Sequence, residues 1–153
     1  MRNALRSMGV VVVSLSLLSG CDAVAGLADL VDLAGPSTVR VMLVNNGQFD
    51  IEGTLFYGDQ QEALNIVLTE FGEELDFTVP AGGSDTFVRA CDDLQAIVID
   101  DADLLILGDI GPEANSDVLR DGDDFSCGDT IVFTFDHSGI LVDFDVTVSI
   151  DRR

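Results

Sequence analysis

Val142-Asp-Phe144-Asp-Val146-Thr-Val148-Ser-Ile150 decides the fold class. Large apolar side chains at every second position share one face of an extended chain, because strand side chains alternate with a period of two. Working backwards, Asp136-His-Ser-Gly139 supplies a hairpin turn, and Ile131, Phe133 and Phe135 repeat the alternation on its far side. The same period holds further upstream. Leu75, Phe77 and Val79 precede the Pro80-Ala-Gly-Gly83 turn, and residues 86–90 run back from it. Val39, Val41 and Leu43 lead into Asn45-Asn46-Gly47, where positive φ is easily adopted, and residues 51–57 complete a hairpin. Residues 95–99 and 104–107 are short apolar runs suited to buried strands, whereas residues 108–128 are polar, rich in Gly and Asp, and have no strand of their own.

One segment breaks the pattern. Asp59-Gln60-Gln61-Glu62 reads as a capping box, Leu64, Val67, Leu68 and Phe71 fall on one helical stripe, and Gly72 ends it, which predicts a helix over residues 60–71. About eight short strands with a single internal helix predict a mainly β domain: an antiparallel β-sandwich of immunoglobulin-like character, with a small β-barrel as the alternative.

Composition narrows the function. The 153 residues carry 28 Asp+Glu against 7 Lys+Arg, all of them arginine, for a formal net charge of −21, and 47% are hydrophobic. That is one domain's worth of chain with enough apolar surface for a core. A surface this negative is repelled by phosphate backbones, so no nucleic acid is expected as a partner. An acidic surface without lysine also suits salty surroundings, where ions screen self-repulsion over a few Å.

Arg2 and Arg6 precede the apolar run Met8-Gly-Val-Val-Val-Val-Ser-Leu-Ser-Leu-Leu18, the three-part form of an export signal. At about 1.5 Å per residue the run covers only about half of the hydrocarbon layer, too little for a permanent span. At its end, Leu18-Ser19-Gly20-Cys21 resembles the lipobox of bacterial lipoproteins. The resemblance covers the first 21 residues and leaves the folded domain unassigned to any family. It implies that residues 1–20 are removed, that Cys21 becomes the first residue and carries diacylglycerol, and that the protein sits in the cell envelope on the exported side, periplasmic or at the cell surface. Two or three acyl chains, at about 0.8 kcal/mol per buried CH2, give stable anchoring. Asp22 matches a retention signal of some lipoprotein sorting systems. All 28 acidic residues lie beyond residue 20, so the processed chain is more acidic than the whole.

Residues 22–36 place Val24, Leu27, Leu30, Val31 and Ala34 at helical spacing before Gly35-Pro36. Cys21 and this amphipathic tether make up residues 21–37, and the sandwich occupies 38–153. The helix either lies on a membrane or self-associates, or it packs on the domain. With Cys21 assigned to lipid, Cys91 and Cys127 are left as a pair in an oxidising compartment, and a disulfide is expected. Closing that loop stabilises the fold by roughly 4 kcal/mol in the chain-entropy model.

Acidic residues surround both cysteines. Asp92 and Asp93 follow Cys91, while Asp121, Asp123, Asp124 and Asp129 lie around Cys127. No cofactor is expected, with calcium, which takes 6 to 8 oxygen ligands, as the alternative for such a group. The run from Asp121 departs from the calcium-hand template at Phe125, Ser126 and Val132. In the competing reading these aspartates cap turns and face solvent. Catalytic residues are not expected: His137 beside Ser138 makes no triad, a nucleophile elbow is missing, and the chain has no Trp and only Tyr57 as a platform for sugars. The expectation is a lipid-anchored, non-enzymatic binding or scaffolding module with a membrane contact through its anchor and an envelope protein as partner. A calcium-dependent adhesion module is the second reading and an acid-pair hydrolase the third.

Overall fold

The computed structural model describes residues 37–61, 64–106, 111–137 and 144–153. The export signal, the lipobox and the 22–36 tether lie outside the described residues. The chain divides into two units, Met1–Ala34 and Gly35–Arg153, and the described residues all belong to the second.

Two sheets pack face to face. The first contains β1 (Thr38–Asn45), β4 (Ser84–Ala90), β8 (Thr130–His137) and β9 (Phe144–Asp151) in the order β4-β1-β8-β9. The second contains β2 (Asp50–Gly58), β3 (Glu73–Val79), β5 (Ala96–Leu105) and β6 (Glu113–Ala114) in the order β3-β2-β5-β6, with β7 (Leu119–Arg120) also paired to β5. All pairs are antiparallel except β1–β8, which run parallel. The result is the β-sandwich that the alternation predicts. Val39, Val41 and Leu43 from β1 and Ile131, Phe133 and Phe135 from β8 meet Ile51, Leu55, Phe77, Val79, Ile97, Ile99 and Leu104 of the opposite sheet. Each fully buried side chain of this kind contributes about 1.5–3 kcal/mol of transfer free energy.

Two turns that read as hairpins are crossings between sheets. Asn45-Asn46-Gly47 carries the chain from β1 to β2, and Pro80-Ala-Gly-Gly83 carries it from β3 to β4. The crossings lie side by side: Gly82 N donates to Gly47 O at 3.0 Å and Asn45 N to Gly83 O at 3.0 Å. The Asn45 side chain, 1% exposed, pins them. Its amide donates to the carbonyls of Phe49 (2.8 Å), Val79 (3.1 Å) and Pro80 (3.2 Å), and its Oδ1 accepts from Gly47 N at 2.8 Å. Backbone that would be left without partners at a change of sheet is thereby satisfied.

The two apolar runs at 95–99 and 104–107 are largely parts of one ten-residue strand, β5. Register against β2 slips between Thr54 and Leu55, which face Asp101 and Ile99 and leave Asp100 as the extra residue of a bulge. The bulge shifts the phase, so Ile97 and Ile99 before it and Ala102 and Leu104 after it all face the core. Opposite the bulge stands Gly53, where a Cβ would run into the carbonyl of Asp101 and the ring of Phe77. Residues 108–128, read as strandless, supply β6 and β7, two residues each.

The internal helix is shorter than its pattern suggests: α1 spans Asn65–Phe71, and Leu64 at its start makes no side-chain cap. Leu64 itself is extended, and Gln61 of the expected capping box donates its side-chain amide to the carbonyl of Asp121. Leu68 of α1 covers Ala96 and Val98, which therefore bury on the outer side of β5. Phe71, on the expected apolar stripe, is exposed.

Candidate functional site

The cysteines sit at one corner of the first sheet. Cys91 follows β4 and Cys127 precedes β8, the strands on either side of β1, and their sulfurs lie at disulfide distance with a Cα–Cα separation of 5.5 Å. Cys91 N donates to Ser37 O (3.0 Å) and Gly128 N to Thr38 O (3.0 Å), so the start of β1 is held from both sides. Phe125, which spoils the calcium-hand pattern, is 2% exposed and anchors the acidic loop in the core.

The six aspartates of this region point several ways. Asp92, Asp93 and Asp123 are exposed. Asp121 gives its backbone N–H to Gln95 O at 2.9 Å. Asp124 Oδ2 accepts from Arg120 N at 2.8 Å, closing the turn that contains Gly122 at φ +81°. Asp129, 7% exposed, accepts from Ser126 N at 2.9 Å and from Arg153 N at 3.4 Å. Two of the six carboxylates are thus committed to backbone amides, the use of aspartate that turns commonly make.

Among the described residues, one group of three carboxylates, those of Asp101, Asp103 and Glu113, has its oxygens within 4.8 Å of one another. Strand register explains their meeting. Asp103 pairs with Glu113 on one side and Glu52 on the other, a row of like charges across three strands of the second sheet. Burial, and secondly the charge of Asp101, pushes the Asp103 carboxyl above the usual range. Such a row offers hard oxygen donors to a divalent cation, although calcium's 6 to 8 ligands would require others to be added. Asp101-Ala-Asp103 in the sequence places two acids on one face of a strand. Glu113 joins them through the pairing of β6, which left no mark in the sequence.

A second polar arrangement bridges the sheets. Tyr57 on β2, 4% exposed, donates its hydroxyl hydrogen to Glu73 Oε2 on β3 at 2.6 Å and accepts from Arg89 Nε on β4 at 2.8 Å. The Arg89 guanidinium also stacks over the Tyr57 and Phe87 rings, 5.0 and 5.1 Å from their centroids. Burial first, and then the hydrogen bond to Glu73, raise the Tyr57 hydroxyl above 10.0. His137, half-buried at the end of β8, accepts from Gln48 N through Nε2 at 2.8 Å and lies 5.5 Å from the Phe49 ring. That bond requires an unprotonated Nε2 and serves the crossing between sheets.

Among the described residues no helix is long and apolar enough to cross a membrane. The sequence matches no protein-family model and no curated protein. Among solved structures, an NMR structure of a protein from Eubacterium rectale is similar at 12% identity and a TM-score of 0.44, covering 78% of this chain and 93% of that one.

Proposed function

We propose that this chain is a lipid-anchored protein of the cell envelope that acts as a non-enzymatic binding or scaffolding module. The observation that carries the reading is the Cys91–Cys127 pair. A disulfide persists in oxidising compartments, and pairing these two leaves Cys21 as the odd cysteine, at the end of Leu18-Ser19-Gly20-Cys21. A rigid sandwich with loops braced at one corner presents those loops to a partner. The anchor raises the local concentration of the domain at the membrane, so a weak contact suffices there.

Membrane fractionation of cells producing the full chain tests this. The protein is expected in the detergent-extractable membrane fraction, and Cys21→Ala is expected to abolish that partitioning. A C21A chain that still partitions with membranes, or a native chain recovered from the cytosol, would contradict the proposal.

A further inference from the structure

Arginine is scarce in this protein and unevenly placed. Three of the arginines, Arg40, Arg152 and Arg153, line one groove of about 350 Å³ on the outer face of the first sheet, together with Thr38, Thr130 and Asp151. Strand register assembles it. Arg40 on β1 faces Thr130 on β8, which faces Asp151 on β9, and Arg152 and Arg153 continue from β9. Asp129 holds the last of these from beneath through the Arg153 N–H. Among the described residues, the guanidinium groups of Arg40, Arg152 and Arg153 make no hydrogen bond or ion pair.

We propose that this groove binds a phosphate group. A guanidinium presents a fork of donors matched to phosphate oxygens, and arginine is favoured where an oxyanion must be held with defined geometry. One carboxylate is satisfied by one such fork. A tetrahedral phosphate has oxygens for several guanidinium groups and for the hydroxyls of Thr38 and Thr130 as well. Three of the five arginines among the described residues thus gather at one groove on a chain whose net charge is −21, against two nearby side-chain carboxylates, Asp151 in its lining and Asp129 beneath it. Its volume falls in the range of small-ligand sites. Two sources carry that chemistry: a lipid headgroup and a soluble phosphate compound.

This site deepens the binding-module reading and rests on it, but its test does not depend on lipidation. The full chain in phosphate-free alkyl-maltoside micelles is titrated with inorganic phosphate, with sodium chloride at matched ionic strength as the control, and binding is read by equilibrium dialysis and by the melting temperature. Saturable binding is expected. R40Q with R152Q should weaken it by about tenfold or more, and Asp151→Asn, which removes the competing anion, should tighten it. In a second arm the micelles carry phosphatidylglycerol or phosphate-free diacylglycerol. A response to phosphatidylglycerol alone assigns the source to the headgroup, and a response to inorganic phosphate alone assigns it to a soluble compound. Responses to both define a general phosphate site. No response in either arm, equal responses to chloride, or a response undiminished in an R40Q/R152Q chain of unchanged melting temperature would overturn the proposal.

Discussion

The side-chain amide of Asn45 donates to the carbonyl of Val79 at 3.1 Å, a buried bond between segments 34 residues apart in the chain. It holds together the two places where the chain changes sheet, and Asn45 is, with Asp129, one of the two polar residues buried among the described residues. Asn45→Ala removes the two N–H donors shared among three carbonyls and the acceptor of the Gly47 N–H, leaving buried carbonyls without partners. A loss of about 2–4 kcal/mol is expected, read as a lower denaturant midpoint at unchanged slope.

Tyr57 gives a pH dependence with a unique reporter, since the chain has one Tyr and no Trp. Its hydroxyl is raised in the folded state. The associated stability is therefore fully present below the unfolded value near 10 and is lost as pH rises through the folded value. Melting temperature should fall above about pH 10 as the 295 nm phenolate band grows, at a higher pH than in the denatured chain. Tyr57→Phe should remove that step and cost about 1–2 kcal/mol at neutral pH.

The corner around the disulfide separates turn-capping from solvated aspartates. Asp129→Ala should destabilise by about 1–2 kcal/mol, the loss of a charged acceptor from backbone amides. Asp92→Asn and Asp123→Asn, at exposed positions, should stay within about 0.5 kcal/mol. Replacing both Cys91 and Cys127 by Ala should cost about 2–4 kcal/mol. Chemical unfolding of the four variants in parallel checks the ranking.

Asp103 faces acids on both neighbouring strands. With its carboxyl raised, the folded chain is favoured while that group is protonated, and the advantage disappears as pH rises from about 3.8 through the folded value. At neutral pH Asp103→Asn should therefore stabilise the fold by a few tenths to about 1 kcal/mol. Repeating the melt in 1 M salt should shrink the gain, because exposed charges are screened.

The β-class was legible because edge and central strands alike obey the period of two, most clearly from Phe144 to Ile150. Turn chemistry was less informative. Asn45-Asn46-Gly47 and Pro80-Ala-Gly-Gly83 look the same whether the chain doubles back in one sheet or crosses to the other; the choice lies in which strands pair, a long-range fact. Asp100 hid β5 by shifting its phase in mid-strand, and Gln61 of the expected capping box bonds to a carbonyl sixty residues away, a contact no local pattern shows. The cysteine pair was legible from counting. The arginine groove was not, because Arg40 and Arg152 lie at opposite ends of the domain's sequence and are brought to one groove only by the parallel register of β1 with β8 and the antiparallel register of β8 with β9.

Mass spectrometry of the protein purified from native membranes bears most directly on the anchor. The expected chain begins at Cys21, carries diacylglycerol on that sulfur, and holds Cys91 and Cys127 in one disulfide-linked peptide pair. A chain that begins at Met1 with all three thiols free would contradict lipid anchoring and export together.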